Sequence, residues 1–159
     1  MKWNWGIGVA VAAGAYLFNS VIQADRDDAG AIVAAGSLDA FQMRVGDCFN
    51  DGSAFTEDSS DVDTVPGVPC STPHDNEVYA VFDVSMASYP EDAMADMAHD
   101  ACLERFAEFV GRDYESSSLD IATLYPSHDS WGQNDREVVC AVYDVDTKKL
   151  TGSVKGLAL

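Results

Sequence analysis

The side chains best equipped for chemistry in this 159-residue chain are three histidines, four cysteines and a surplus of carboxylates. His74 stands in Pro69-Cys70-Ser71-Thr72-Pro73-His74-Asp75-Asn76-Glu77. A histidine among carboxylates suits metal ligation or general base work, because its neutral ring offers a lone pair near neutral pH. The plainer role is a turn, fixed by Pro73 and a disulfide, whose imidazole hydrogen-bonds local backbone. His128-Asp129 adds a second ligand only if folding carries it to His74, and His99 falls on the flank of a helix. Ser71 lies near His74, yet no G-x-S-x-G elbow surrounds it. The run Asp58-Ser-Ser-Asp61-Val-Asp63 offers hard oxygen ligands of the kind calcium takes. It lacks the D-x-D-x-D-G frame and closing glutamate of an EF-hand, so a solvated loop is its default. Trp131, beside Gly132, is either a contact platform or a core residue. No catalytic residue, metal or cofactor is assigned.

The cysteines, Cys48, Cys70, Cys102 and Cys140, are spaced 22, 32 and 38 residues apart. No C-x-x-C pair is present, which argues against zinc. An even count behind a membrane-targeting segment reads instead as two disulfides in an oxidising compartment. Three pairings are open to four cysteines. Cys48–Cys70 with Cys102–Cys140 is favoured, each loop worth roughly 3–4 kcal/mol in the chain-entropy view.

The elements that must position these groups follow from periodicity. Phe41-Gln-Met43-Arg-Val45 alternates like a half-buried strand, and Val65–Pro69 is extended. Asn76–Val84 is rich in Val, Tyr and Phe and reads as a strand, as do Leu119–Tyr125 and Glu137–Tyr143; Leu150–Val154 is a short last one. Between them, Met94, Met97/Ala98, Ala101/Cys102, Phe106 and Phe109/Val110 recur at helical spacing. Tyr89-Pro90-Glu91-Asp92 supplies the start and Gly111 the stop. Cys102 lies on the apolar face, where it can meet a strand carrying Cys140. Helix and strands mix without βαβ regularity. The fold class is therefore α+β: a small disulfide-stapled domain over 42–157, with a mixed or antiparallel sheet and one main helix.

Ahead of it, Trp3–Ile22 (WNWGIGVAVAAGAYLFNSVI) contains 20 residues without a charge. At about 1.5 Å per residue such a helix spans roughly 30 Å, a bilayer core. Trp3 and Trp5 suit an interface, and Asp25-Arg26-Asp27-Asp28 cannot enter lipid. A cleaved signal with a cut after Ala24 is the competing reading, weakened by bulky Ile22 and a single Lys2. The expectation is one transmembrane helix within 1–24, with Gly6, Ala10 and Gly14 forming a flat face for helix packing. Residues 25–41 then form an acidic, Ala/Gly-rich tether.

Charge excludes some partners. With 27 acidic and 9 basic side chains the formal charge is −18. Such a balance argues against nucleic acid as a partner and against a polybasic grip on anionic lipid. Aspartate outnumbers glutamate 20 to 7, which fits turns and a hydrated surface.

Two pieces together resemble a known family. Val45-Gly-Asp-Cys-Phe49 and Val68-Pro-Cys-Ser-Thr-Pro-His-Asp-Asn-Glu-Val-Tyr-Ala80 look like the opening of the septum formation domain of actinobacterial envelope proteins. Later pieces agree: the helix with Cys102 ending in Phe-Val-Gly, Tyr125-Pro126 before Trp131, Asp135–Cys140, and Leu150-Thr-Gly-Ser153. The similarity covers roughly 44–156, omitting the loop at 50–64. It implies a membrane-tethered or exported domain whose four cysteines are disulfide positions, with His74 and Asp75 as motif members of unassigned role. His74, Asp75, Glu77 and Trp131 are the possible contact residues.

The expected protein is non-enzymatic: a single-pass cell-membrane protein with a cytoplasmic N-terminus and an extracytoplasmic binding domain. Its expected partners are other membrane or envelope proteins, with the membrane engaged through residues 3–22 and no small-molecule ligand. It acts in septum formation or as an accessory subunit of an envelope complex. The alternative is an envelope enzyme or metal-binding module centred on His74/Asp75.

Overall fold

The computed structural model describes residues 22–52 and 62–159. In chain order these form β1 (Asp25–Arg26), β2 (Ile32–Ala34), β3 (Gly36–Asp39), β4 (Cys48–Phe49), β5 (Thr64–Val68) and β6 (Asn76–Asp83). Then come α1 (Met94–Val110), β7 (Leu119–Leu124), α2 (His128–Gly132) and β8 (Glu137–Asp144). β1 and β2 make a small antiparallel sheet; the other six strands form one antiparallel sheet in the order β3-β5-β4-β6-β8-β7. The α+β class holds, with the sheet antiparallel.

The long strands β6 and β8 pair at the heart of the sheet, from Asn76↔Tyr143 to Asp83↔Glu137. Their β-branched and aromatic residues suit a surface buried on both sides. One irregularity matters for packing. Between Val78↔Ala141 and Ala80↔Cys140, β6 carries one extra residue, Tyr79. A bulge of this kind breaks strict alternation. Tyr79 and Ala80 therefore both join the helix-side core, while Val78 packs in the core of the opposite face.

α1 covers the first face with Met94, Ala98, Cys102, Phe106, Phe109 and Val110, a buried stripe at helical spacing. A short 3-10 turn, Glu91–Ala93, leads into it. The helix ends at Gly111, whose φ of 86° lies in the left-handed region that glycine enters without strain. The Cys102–Cys140 disulfide joins α1 to the middle of β8, and the Tyr79 hydroxyl donates 2.8 Å to the Cys102 carbonyl. The second disulfide is Cys48–Cys70, so the favoured pairing is the one formed.

Three expectations are corrected. Residues 25–41 are not a free tether. β3 pairs with β5 through Leu38↔Val65, and Ile32 and Leu38 enter the second core. Arg26 anchors β1 by reaching the buried Asp47 with both guanidinium nitrogens, at 2.5 and 2.6 Å. Phe41–Val45 is not a strand: Asp39 caps a 3-10 turn over Ala40–Gln42, leaving Phe41 and Val45 exposed and only Met43 buried. Leu150–Val154 forms no full strand, only a single antiparallel bridge, His74↔Leu150. The expected helix with Gly6, Ala10 and Gly14 lies outside the described residues, as does most of the acidic loop with Asp58 and Asp61. Among the described residues no helix is long and apolar enough to cross a membrane.

Candidate functional site

The two motif pieces meet where β4 lies against β6. Gly46, at φ 90°, turns the chain so that its N–H reaches the Val78 carbonyl at 2.8 Å. Asp47 accepts from the Arg44 N–H at 2.8 Å as well as from Arg26. Its carboxylate beside Arg26 holds the guanidinium pKa up, with burial working the other way. Cys48 then falls opposite Glu77 in the register, which brings the disulfide beside a buried carboxylate.

His74 sits next to this pair, fully buried. Its N–H donates to the Leu150 carbonyl at 3.0 Å and its own carbonyl accepts from the Leu150 N–H at 2.8 Å. Nδ1 lies 2.8 Å from the Thr72 carbonyl, so Nδ1 carries the proton and Nε2 keeps the lone pair. Nε2 has no hydrogen-bond partner. Local backbone bonding thus accounts for one side of the ring. The other side is an orphan acceptor, which is uncommon in a buried site.

Glu77, 1 % exposed, accepts from the Ser153 hydroxyl at 2.5 Å and the Val154 N–H at 2.7 Å. Gly152 N–H donates to the Cys70 carbonyl at 2.6 Å. Leu150–Val154 is therefore stitched along the Cys70–Glu77 segment. Two motif pieces far apart in sequence are one structural unit. A ring nitrogen of His74, Cys48 Sγ and a Glu77 oxygen lie within 4.8 Å of one another.

Asp75 leaves this cluster. Its carboxylate meets Lys149 Nζ at 2.6 Å and accepts from the Asp51 N–H at 3.1 Å. His128 does not join either. It follows β7, at the end of the sheet opposite His74, and lies edge-on to the Tyr89 ring at 5.4 Å. His74's hydrogen bonds include no serine hydroxyl, so Ser71 gains no general base from it. His99 is half-buried on α1.

The end with His128 is aromatic. Trp131 is 8 % exposed, with the Arg136 guanidinium 3.6 Å above its ring and Tyr89 edge-on at 5.6 Å. Arg136 also donates to the Trp131 carbonyl at 2.9 Å. A Ser127–Ser130 capping box starts α2, and Ser130 donates to Asp135 at 2.7 Å. Tyr125 stands exposed beside this group. Trp131 is the buried support of the cluster, while Tyr125 and His128 present its surface.

A further carboxylate went unremarked in the sequence. Glu137, at the start of β8, has a buried Oε1 without a partner. Burial, followed by the charges of Asp83, Asp135 and Asp39, pushes its pKa up. Asp135 is a near neighbour in the chain, but Asp83 and Asp39 are distant and give no linear signal for this.

No curated protein and no solved structure shows significant similarity to the chain. The septum formation family model matches residues 45–158, a stretch that takes in both disulfides, the buried His74–Glu77 node and the aromatic end. The chain belongs to the septum formation family.

Proposed function

We propose that this chain is a non-enzymatic, membrane-anchored extracytoplasmic domain that binds other envelope proteins. It acts in septum formation or as an accessory subunit of an envelope membrane complex. Family membership over 45–158 carries the link to septum formation and agrees with an envelope location. Two disulfides suit an oxidising compartment. The uncharged stretch Trp3–Ile22 supplies the anchor in this reading.

Binding rather than turnover is supported by the burial of the His74–Glu77 node. Both side chains are closed off from solvent, and the C-terminal segment hydrogen-bonds to the carboxylate. By contrast, Tyr125, 44 % exposed, and His128 stand over a rigid aromatic base. Aromatic side chains held in place lose little freedom on docking, so they suit a contact patch. A net charge of −18 favours a partner with a basic face.

The test is site-specific photocrosslinking in the native envelope, with the probe at Tyr125 or at Val145 near the opposite end of the sheet. A recurring protein adduct from Tyr125 alone supports the proposal. Adducts from Val145 alone contradict the assigned surface, and no adduct from either position contradicts protein binding.

A further inference from the structure

The orphan lone pair of His74 Nε2 points to a ligand that the oxidised domain cannot complete. Nδ1 is committed to the Thr72 carbonyl, as backbone carbonyls orient metal-binding imidazoles. Glu77 is held by Ser153 and Val154, which fix its carboxylate and leave lone pairs free. A His74 ring nitrogen, a Glu77 oxygen and Cys48 Sγ lie within 4.8 Å of one another. Bonds of about 2.0–2.3 Å to one tetrahedral zinc ion place ligand atoms roughly 3.3–3.8 Å apart, so the three atoms must draw in around an ion. A disulfide sulfur, however, is a poor donor, because zinc takes cysteine as thiolate.

Cys70 changes that set. It is bonded to Cys48 and lies four residues before His74 in the same turn. Cys48 is fully buried, whereas Cys70 is half-buried and offers the more accessible sulfur. We propose that opening the Cys48–Cys70 disulfide creates a zinc site built from Cys48, Cys70, His74 and Glu77. The reductant is a dithiol, or a phosphine in the test tube. A dithiol thiolate attacks Cys70 Sγ, the Cys48–Cys70 bond breaks, and Cys48 leaves as thiolate. The second thiol of the reductant then resolves the mixed disulfide and is itself oxidised. Two electrons and two protons pass to the cysteines. Zinc binding displaces the two thiol protons and places two sulfurs, one nitrogen and one oxygen around the ion, a set suited to tetrahedral Zn²⁺. Reduction thereby exchanges one cross-link of the Cys48–Glu77 region for another.

The experiment uses the full chain, with and without a phosphine reductant. Differential alkylation and mass measurement report which pair has opened, and Co²⁺ or Zn²⁺ is then titrated. The expected result is one ion per reduced chain and none on the oxidised chain. Cobalt should show thiolate charge-transfer bands together with the strong visible bands of tetrahedral geometry. Glu77→Gln and His74→Ala each remove a direct ligand and should weaken binding by more than the roughly 10–100-fold that loss of a supporting partner costs. The wild-type cobalt spectrum needs no variant to fold. A reduced chain without those bands overturns the proposal, as does equal binding by the oxidised chain. Retained affinity in Cys48→Ser/Cys70→Ser, or a Cys48–Cys70 bond that resists the reductant in the folded chain, overturns it as well.

Discussion

At the scale of single residues, the carboxylates of Glu77 and half-buried Glu137 behave in opposite ways. Each oxygen of Glu77 accepts from one donor of the C-terminal segment, a hydroxyl and a backbone N–H. Hydrogen bonds to a charged group are worth about 1.5–3 kcal/mol when one partner is removed. Glu77→Ala should therefore cost at least about that much in a urea unfolding curve, because the Ser153 hydroxyl and the Val154 N–H both lose their acceptor. It should also speed hydrogen exchange at Val154. An unchanged midpoint would mean that the C-terminal clamp contributes nothing to stability. Glu137 has the reverse problem. Burial and then the charges of Asp83, Asp135 and Asp39 raise its folded pKa. The folded chain thus keeps a proton that the unfolded chain has already released, in the window between the usual carboxylate pKa and the raised one. Stability falls as pH rises through that window. Glu137→Gln removes the charge and should raise the melting temperature at pH 7, with the gain fading towards pH 4. Thermal melts across that range check it, and a gain that grows on acidification would reverse the sign.

At the scale of elements, the fold rests on one cross-link between layers. Cys102–Cys140 ties α1 to the long strand β8 across 38 residues. The chain-entropy relation gives about 4 kcal/mol for a loop of that size. Replacing both cysteines with alanine should lower stability by about 2–4 kcal/mol while α1 remains helical, since Ala98, Phe106 and Val110 still pack. Circular dichroism with denaturant melts measures both quantities, and loss of the helix without denaturant would show that the disulfide holds α1 against its own packing. This element was readable from sequence because its signals are local: a stripe at 3–4 residue spacing, proline and acids before it, Gly111 after it. β6 and β8 were readable for the same reason, as continuous apolar runs, and β7 as a short run of Leu, Ile, Ala and Thr. The misses were non-local. β1 to β3 are strands of two to four residues, held by β1 pairing with β2, by β3 pairing with β5 and by Arg26 reaching Asp47, and none of these leaves a periodic mark. Phe41–Val45 has the strand period, but Asp39 accepting from the Phe41 N–H bends the chain into a 3-10 turn. The candidate site divided in the same way. His74 was visible as a motif residue, whereas its orphan Nε2 and the Glu77 clamp depend on Leu150–Val154 returning to lie beside it.

At the scale of the whole molecule, the dominant fact is a formal charge of −18 on 159 residues. Basic groups are few, and several are already committed. Arg26 serves Asp47, Lys149 serves Asp75, and Lys148 serves Asp146. The exposed pairs among these contribute little, roughly 0–1 kcal/mol each. Most of the remaining carboxylates repel one another over the surface, and that repulsion is larger in the compact state than in the expanded chain. Salt shortens its range: the Debye length falls from about 30 Å at 0.01 M to about 10 Å at 0.1 M and 3 Å at 1 M. The folded state should gain more from this screening than the unfolded one. The melting temperature should thus climb steadily with sodium chloride from low salt towards 1 M, and Asp→Asn changes at exposed, unpaired positions should flatten the climb. Buried Asp47 provides the contrast, because its bidentate pair with Arg26 is weakly screened and attractive. Asp47→Asn should lower the melting temperature at every salt concentration and leave the slope nearly unchanged. A melting temperature that stays flat with salt would mean that attraction within local pairs already balances the net charge. In that case the acidity would bear on partner choice alone.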